Sequence, residues 1–198
     1  MIHQLKTSHY KQIAKMQATS GVRPIEGHFL AWLASKWGKD TIVEIGSCEG
    51  RSAAYMADAL HDAYFMHGQI HCVDLWDLGK GVTPSKHSSK SAEQRFYKNL
   101  NNLGLMPYIT PHKGYSSQVA RSWSAPISLL FIDGDHTFQG CLSDYLAWNR
   151  YVRVGGVIAF HDTDQPDINK VVSLFLKKEE WKPFPIYDRI MAFQKRDA

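Results

Sequence analysis

Val43-Glu44-Ile45-Gly46-Ser47-Cys48-Glu49-Gly50-Arg51-Ser52 is the stretch on which the reading of this chain turns. Thr41 to Ile45 is β-branched and apolar enough for a buried strand. Arg51 to Leu60, with Ala53, Ala54, Ala57 and Ala59, is a strong helix pattern. Between them, Gly46 and Gly50 let the backbone turn sharply and approach a ligand closely. The helix then points unpaired N–H groups at that ligand. The Gly-x-x-x-Gly spacing does not meet the three-glycine dinucleotide fingerprint. Glu44 at the end of the strand disfavours a pyrophosphate and favours a cation or a hydroxyl-rich ligand. Glu44, Gly46, Ser47, Gly50, Arg51 and Ser52 are therefore candidate cofactor-binding residues, although a plain strand-to-helix turn would use the same glycines.

Three further apolar runs, 69–74, 127–132 and 156–160, have the continuous character of strands covered on both faces, and 108–110 is a weaker one. Helical patterns alternate with them over 25–37, 51–60, 91–103 and 138–152, the last stopped by Gly155-Gly156, and another follows over 168–178. Strand and helix in alternation predict an α/β, doubly wound, mostly parallel sheet. Pro185-Ile186-Tyr187 and Ile190-Met191-Ala192-Phe193, separated by Asp188-Arg189, predict a closing antiparallel hairpin.

Ligands of such sheets bind beyond the carboxyl ends of the strands. Asp74 ends the second strand, a position suited to ribose hydroxyls, and Trp76 follows it as either a ligand-facing or a core residue. The fourth strand runs into Asp133-Gly134-Asp135-His136 and the fifth into His161-Asp162-Thr163-Asp164. Carboxylates suit hard divalent cations, so Asp133 and Asp162 are candidate metal ligands. His136 or Asp135 is the candidate general base. Asp135 has an alternative reading as a cap for the helix starting near Phe138.

Composition bounds the rest. The 198 residues allow one domain, and 44% hydrophobic with 21% charged residues is a globular balance. Cys48, Cys72 and Cys141 are far apart, which excludes a disulfide scaffold or a zinc ribbon and suits a reducing compartment. No apolar run is long enough to span a membrane, and the first residues show no secretory pattern. A net charge of +4 is too small a surplus to indicate nucleic-acid binding.

Four stretches in register carry a resemblance: 43–52, Val73-Asp74-Leu75-Trp76, 130–136 and 155–162. In these the chain resembles class I S-adenosylmethionine-dependent methyltransferases, and most closely the branch of antibiotic sugar O-methyltransferases and cephalosporin hydroxylase-like proteins. The resemblance implies a seven-stranded Rossmann-like sheet with the last strand antiparallel, and O-methylation of a small hydroxylated acceptor such as a sugar. It implies that Glu44, Gly46 and Ser47 line the methionine end of S-adenosylmethionine, that Asp74 holds the ribose, and that Gly114, Tyr115 and Ser116 lie near the adenine. Asp133 and Asp162 match the positions where metal-dependent relatives bind Mg²⁺ or another divalent cation. His161, where some relatives have a second acid, joins them as a candidate ligand and catalytic group.

The expected organisation is an N-terminal helical extension or lid, 1–24, with a helix over 8–18 capped by Ser8, and one catalytic domain over 25–198. Residues 76–90 read as a long loop able to recruit the acceptor or to lie solvated. A cytoplasmic enzyme is expected, a candidate homo-oligomer with no membrane or nucleic-acid partner. A nicotinamide-dependent oxidoreductase and a non-catalytic cofactor-binding domain are the alternative readings.

Overall fold

The computed structural model describes residues 7–16, 21–64, 69–76, 89–175 and 179–197. Its sheet has seven strands: β1 (Thr41–Ile45), β2 (Ile70–Asp74), β3 (Ile109–Lys113), β4 (Ile127–Ile132), β5 (Val152–Phe160), β6 (Trp181–Pro183) and β7 (Met191–Lys195). They lie in the order β3-β2-β1-β4-β5-β7-β6. The first five are parallel, and β7 is inserted antiparallel between β5 and β6. The chain thus has the α/β, doubly wound, seven-stranded architecture that alternating patterns predict, with the order reversing between β1 and β4.

Period-two alternation divides the core between the two faces. Ile42, Cys72, Leu129, Phe131, Val157 and Ala159 face one way, under α2 (Pro24–Trp37), α3 (Arg51–Asp62) and α4 (Ser89–Asn102). Val43, Val73, Leu130, Ile132, Ile158 and Phe160 face the other, under α5 (Ser116–Arg121), α6 (Phe138–Trp148) and α7 (Pro166–Phe175). The short α1 (Tyr10–Ala14) packs on α3, and its Ile13 is wholly buried in the first of these clusters.

Three local expectations are corrected. Ser8 does not cap α1; His9 holds that position, and Ser8 binds Asp62 with its N–H at 2.8 Å and its hydroxyl at 2.6 Å. Gly155-Gly156 does not end the preceding helix, which stops at Trp148. The pair lies inside β5, where Ile127 faces Val152 but Leu129 faces Val157, a bulge that Gly155 makes at φ +75°. The first strand of the closing hairpin is Trp181–Pro183, and the run at 185–187 contributes only a bridge between Tyr187 and Ile190. That bridge still makes Asp188-Arg189 a turn, with Asp188 at φ +54°. The loop expected over 76–90 lies, apart from its ends, outside the described residues.

Candidate functional site

The carboxyl ends of β1, β2, β4 and β5 meet at one edge of the sheet. The Gly46 N–H donates to Val73 O at 2.9 Å, Asp133 N–H to Ile45 O at 2.9 Å and His161 N–H to Ile132 O at 3.1 Å. Gly46 sits at φ +88°, and a β-carbon there would lie 2.0 Å from the carbonyl oxygen of Asp133. Only glycine lets the first turn pass this close to β4. Cys48, Trp76 and Asp162 have positive φ without being glycine. Such strained residues gather where a site over-determines its backbone, and all three lie on this edge.

The β1 turn forms one half of the site. Gly50 is the N-cap of α3 at φ +82°. Asp74 accepts from the Cys48 N–H at 2.7 Å and from the Trp76 N–H at 2.6 Å, so it ties β2 to that turn. Each of its oxygens keeps a lone pair for a hydroxyl. Glu44 is completely buried. Burial pushes its carboxyl up to about 7, against the pull of the Ser47 and Ser52 hydroxyls and the Cys72 thiol. Its Oε1 has no well-directed hydrogen-bond donor among the described residues, although the Ser47 hydroxyl lies beside the carboxyl. A buried carboxylate oxygen without a donor is costly, and a cationic ligand would relieve it.

Other residues expected here have structural duties. The Arg51 guanidinium donates to the Met16 carbonyl and ties the segment after α1 to α3. Trp76 is a core residue: its indole N–H donates to Cys48 O at 2.7 Å and its ring packs 4.8 Å from Phe96. Gly114 donates its N–H to Asp74 O at 3.0 Å, Tyr115 is exposed, and the Ser116 hydroxyl accepts from the Trp148 indole at 2.8 Å.

The ends of β4 and β5 form the other half, a cluster of charge. His161 is buried, with Nδ1 2.9 Å from Asp133 Oδ1 and Nε2 3.1 Å from Glu26 Oε2. Burial alone would lower its pKa, but Asp133, Asp162 and Glu26 overcome this and hold it at about 11. These surroundings favour the imidazolium form of His161, which argues against the roles of metal ligand and catalytic group expected for it. Glu26 is wholly buried; burial opposes its charge, but His161, the Arg23 N–H and Arg189 hold it down at about 2. Arg189 grips Glu26 with Nε at 2.9 Å and Nη2 at 3.0 Å, and its Nη1 donates to Asp162 Oδ1. His136 is half exposed, with Nε2 3.5 Å from Asp133 Oδ1 and 3.3 Å from Asp162 Oδ2. The bond to Asp133 raises its pKa above the ordinary histidine value.

Asp135 stands outside this cluster. It accepts from the Thr137 N–H at 2.8 Å, while Thr137 caps α6 through the Gly140 N–H at 3.1 Å. One of its oxygens thus serves the turn that opens α6. Glu26 and Arg189 were missed by sequence reasoning. An acid in the first turn of a helix reads as dipole compensation, and an arginine in a hairpin turn reads as solvated charge. The only signal was that both precede or follow the motif region on elements that fold back over it.

Asp133, His136 and Asp162 offer ligand atoms within 4.8 Å of one another. Both carboxylates, however, already face basic side chains: His161 Nδ1 lies 2.9 Å from Asp133 Oδ1 and 3.5 Å from Asp162 Oδ1, and Arg189 donates to Asp162 as well. A divalent ion would enter beside two positive charges, so the donor set does not fit a resident metal. A cavity of about 460 Å³ opens at the opposite end of the strands, among Lys39, Asp40, Gln69, His71 and Arg153. It touches none of the residues above.

Comparison with known proteins bears on the family and the fold. The sequence model of a family described as Methyltransferase domain matches residues 43–163. Uncharacterized protein R132 of Acanthamoeba polyphaga mimivirus is 28% identical over 162 residues, covering 74% of this chain and 66% of that protein. Two solved structures superpose closely. The O-methyltransferase TomG from Streptomyces achromogenes, involved in tomaymycin synthesis and bound to SAM, has a TM-score of 0.70 at 15% identity, covering 97% of this chain and 91% of its own. The O-methyltransferase from Bacillus cereus in complex with SAH has a TM-score of 0.68 at 18% identity, covering 96% and 92%. At such identities the structures show the shared fold.

Proposed function

The chain belongs to the methyltransferase-domain family, and from that premise we propose that it transfers a methyl group from S-adenosylmethionine to an oxygen of a small hydroxylated molecule. The observation that carries this is the unpartnered Oε1 of Glu44, wholly buried beneath the turn that joins β1 to α3. A sulfonium cofactor with an ammonium group supplies the positive charge this carboxylate lacks. When bound, it also supplies an electrophilic methyl group.

In this reading Glu44, Gly46 and Ser47 hold the methionine end, and Asp74 takes the ribose hydroxyls. Gly114 and Tyr115 lie at the adenine end. The protein's share of the chemistry is alignment and proton removal. His136 is the base, because its Nε2 is half exposed between two carboxylates that stabilise the imidazolium formed when it takes the acceptor's proton. His161 suits the role less, because it is buried against Asp133 and Glu26, which favour its protonated form. An acceptor of modest size fits a chain whose described residues are almost wholly used in one sheet and its helices. Among them no helix is long and apolar enough to cross a membrane. The three cysteines are free thiols, which accords with work in the cytoplasm.

Calorimetry tests the cofactor assignment. S-adenosylhomocysteine should bind, and Asp74→Ala should weaken it about tenfold or more, the loss of one or two charge-assisted hydrogen bonds. No heat at millimolar ligand would reject the reading.

A further inference from the structure

Glu26 and Arg189 belong to neither the cofactor turn nor the strand ends, yet one is wholly buried and the other largely so. Buried charges persist only when they are paired. Glu26 is set by α2, where its Oε2 also accepts the Arg23 N–H at 2.5 Å. Arg189 is set by the β6–β7 connection, and the Thr163 N–H and hydroxyl both hold its carbonyl at 3.0 Å. The planar guanidinium then forks onto Glu26 and reaches Asp162 with its remaining arm. Arg189 takes Oδ1 of Asp162, and Oδ2 of the same carboxylate faces His136. On the neighbouring strand His161 fills the corresponding place on Asp133.

We propose that Arg189, held by Glu26, stands at the paired carboxylates Asp133 and Asp162 in the place of a divalent cation, so that this enzyme orients His136 without a metal. The inference rests on the methyl-transfer reading for its purpose but not for its geometry. Arg189 is a positioning residue: it holds Asp162, whose Oδ2 lies 3.3 Å from His136 Nε2 and so flanks the hydrogen bond from His136 to Asp133. Unlike a metal it cannot be removed by chelation, and its charge is constant at any working pH. Glu26 is the part that makes a buried guanidinium tolerable, since it alone engages two of the three nitrogens.

The test is a titration of the full protein with Mn²⁺ in the presence of S-adenosylhomocysteine, following the paramagnetic resonance of the free ion. The unaltered protein should leave the free-ion signal undiminished at millimolar Mn²⁺. Arg189→Ala removes the permanent positive charge beside Asp162, leaving only His161 3.5 Å from its Oδ1, and should create a site, seen as loss of free-ion signal at about one equivalent. Arg189→Lys keeps a cation there and should again bind none. Uptake by the unaltered protein that Asp133→Asn abolishes overturns the proposal. So does a folded Arg189→Ala variant that takes up no ion, because its carboxylates would then never have suited a metal. Should the Ala variant fail to fold, Glu26→Gln releases the same guanidinium more gently, and the same two outcomes apply to it. Calorimetry with S-adenosylhomocysteine, run beforehand without Mn²⁺, separates the two claims. Failure there removes the cofactor assignment, while the Mn²⁺ titration, repeated without ligand, still decides whether Arg189 excludes a metal.

Discussion

Glu44 is the residue whose state the cofactor should change. Its carboxyl is pushed up to about 7 by burial, so below that pH the empty protein holds a proton there. A bound cation stabilises the carboxylate and lowers this value. Binding S-adenosylmethionine near pH 6 should therefore release most of one proton, and the release should fade as pH rises well past 7, where Glu44 is already ionised. Calorimetry in buffers of different ionisation enthalpy measures it, and Glu44→Gln should abolish it. His136 supplies a second expectation at this scale. Its raised pKa means that transfer should increase with pH and level off only above the ordinary histidine range. His136→Asn should lower kcat by about 10²–10⁴-fold and remove that rising limb from the pH–rate profile. The place of Glu44 near the carboxyl end of β1, just before a glycine turn, was legible from the strand pattern. The separation of His136 from His161 was not. Both follow an apolar strand and adjoin an acid, and only the packing of Glu26 and Arg189 shows that His161 is buried among carboxylates while His136 is half exposed.

Elements turn these residues into a site. The α2 helix approaches α3 so closely that a β-carbon on Gly27 would lie 2.2 Å from the ring of Tyr55. A buried ring cannot yield that far without shifting the helix. Gly27→Ala should cost about 1–3 kcal/mol by overpacking and lower the melting temperature by roughly 2–4 °C per kcal/mol in a chain of this size. Because Glu26 is adjacent, the same change should loosen Arg189. The parallel strands were readable from their continuous apolar runs, and most helices from their spacing. The β6–β7 connection was readable only in part. Trp181-Lys182-Pro183 is short and half polar and carries no strand signal of its own; it becomes a strand because β7 offers it an edge. Gly155-Gly156 misled in the opposite direction, since a glycine pair after a helix resembles a stop and here makes a bulge.

The whole molecule carries a charge cluster with a definite pH window. The Glu26 carboxyl falls from an ordinary 4.5 to about 2 on folding, so its contribution to stability is full above 4.5 and is lost as pH falls through about 2. His161 rises from 6.5 to about 11, so its contribution is full below 6.5 and is lost as pH rises through about 11. Glu44, with its raised value, also favours the folded state on the acid side. The melting temperature should therefore be highest at about pH 5–6 and decline progressively toward alkaline pH, with His161→Asn flattening that decline. Thermal scans across pH at constant ionic strength measure both.

The bond between Glu26 and Arg189 joins residues 163 positions apart. During synthesis the chain emerges from its amino end, so Glu26, Asp133, His161 and Asp162 all leave the ribosome before the residue that neutralises two of them. Until Arg189 arrives, the open end of the sheet holds acids that repel one another, and β5 presents an unpaired edge awaiting β7. Assembly of this centre is thus withheld until β7 can dock, and a chain truncated before Arg189 would lack both the strand and the charge that complete it.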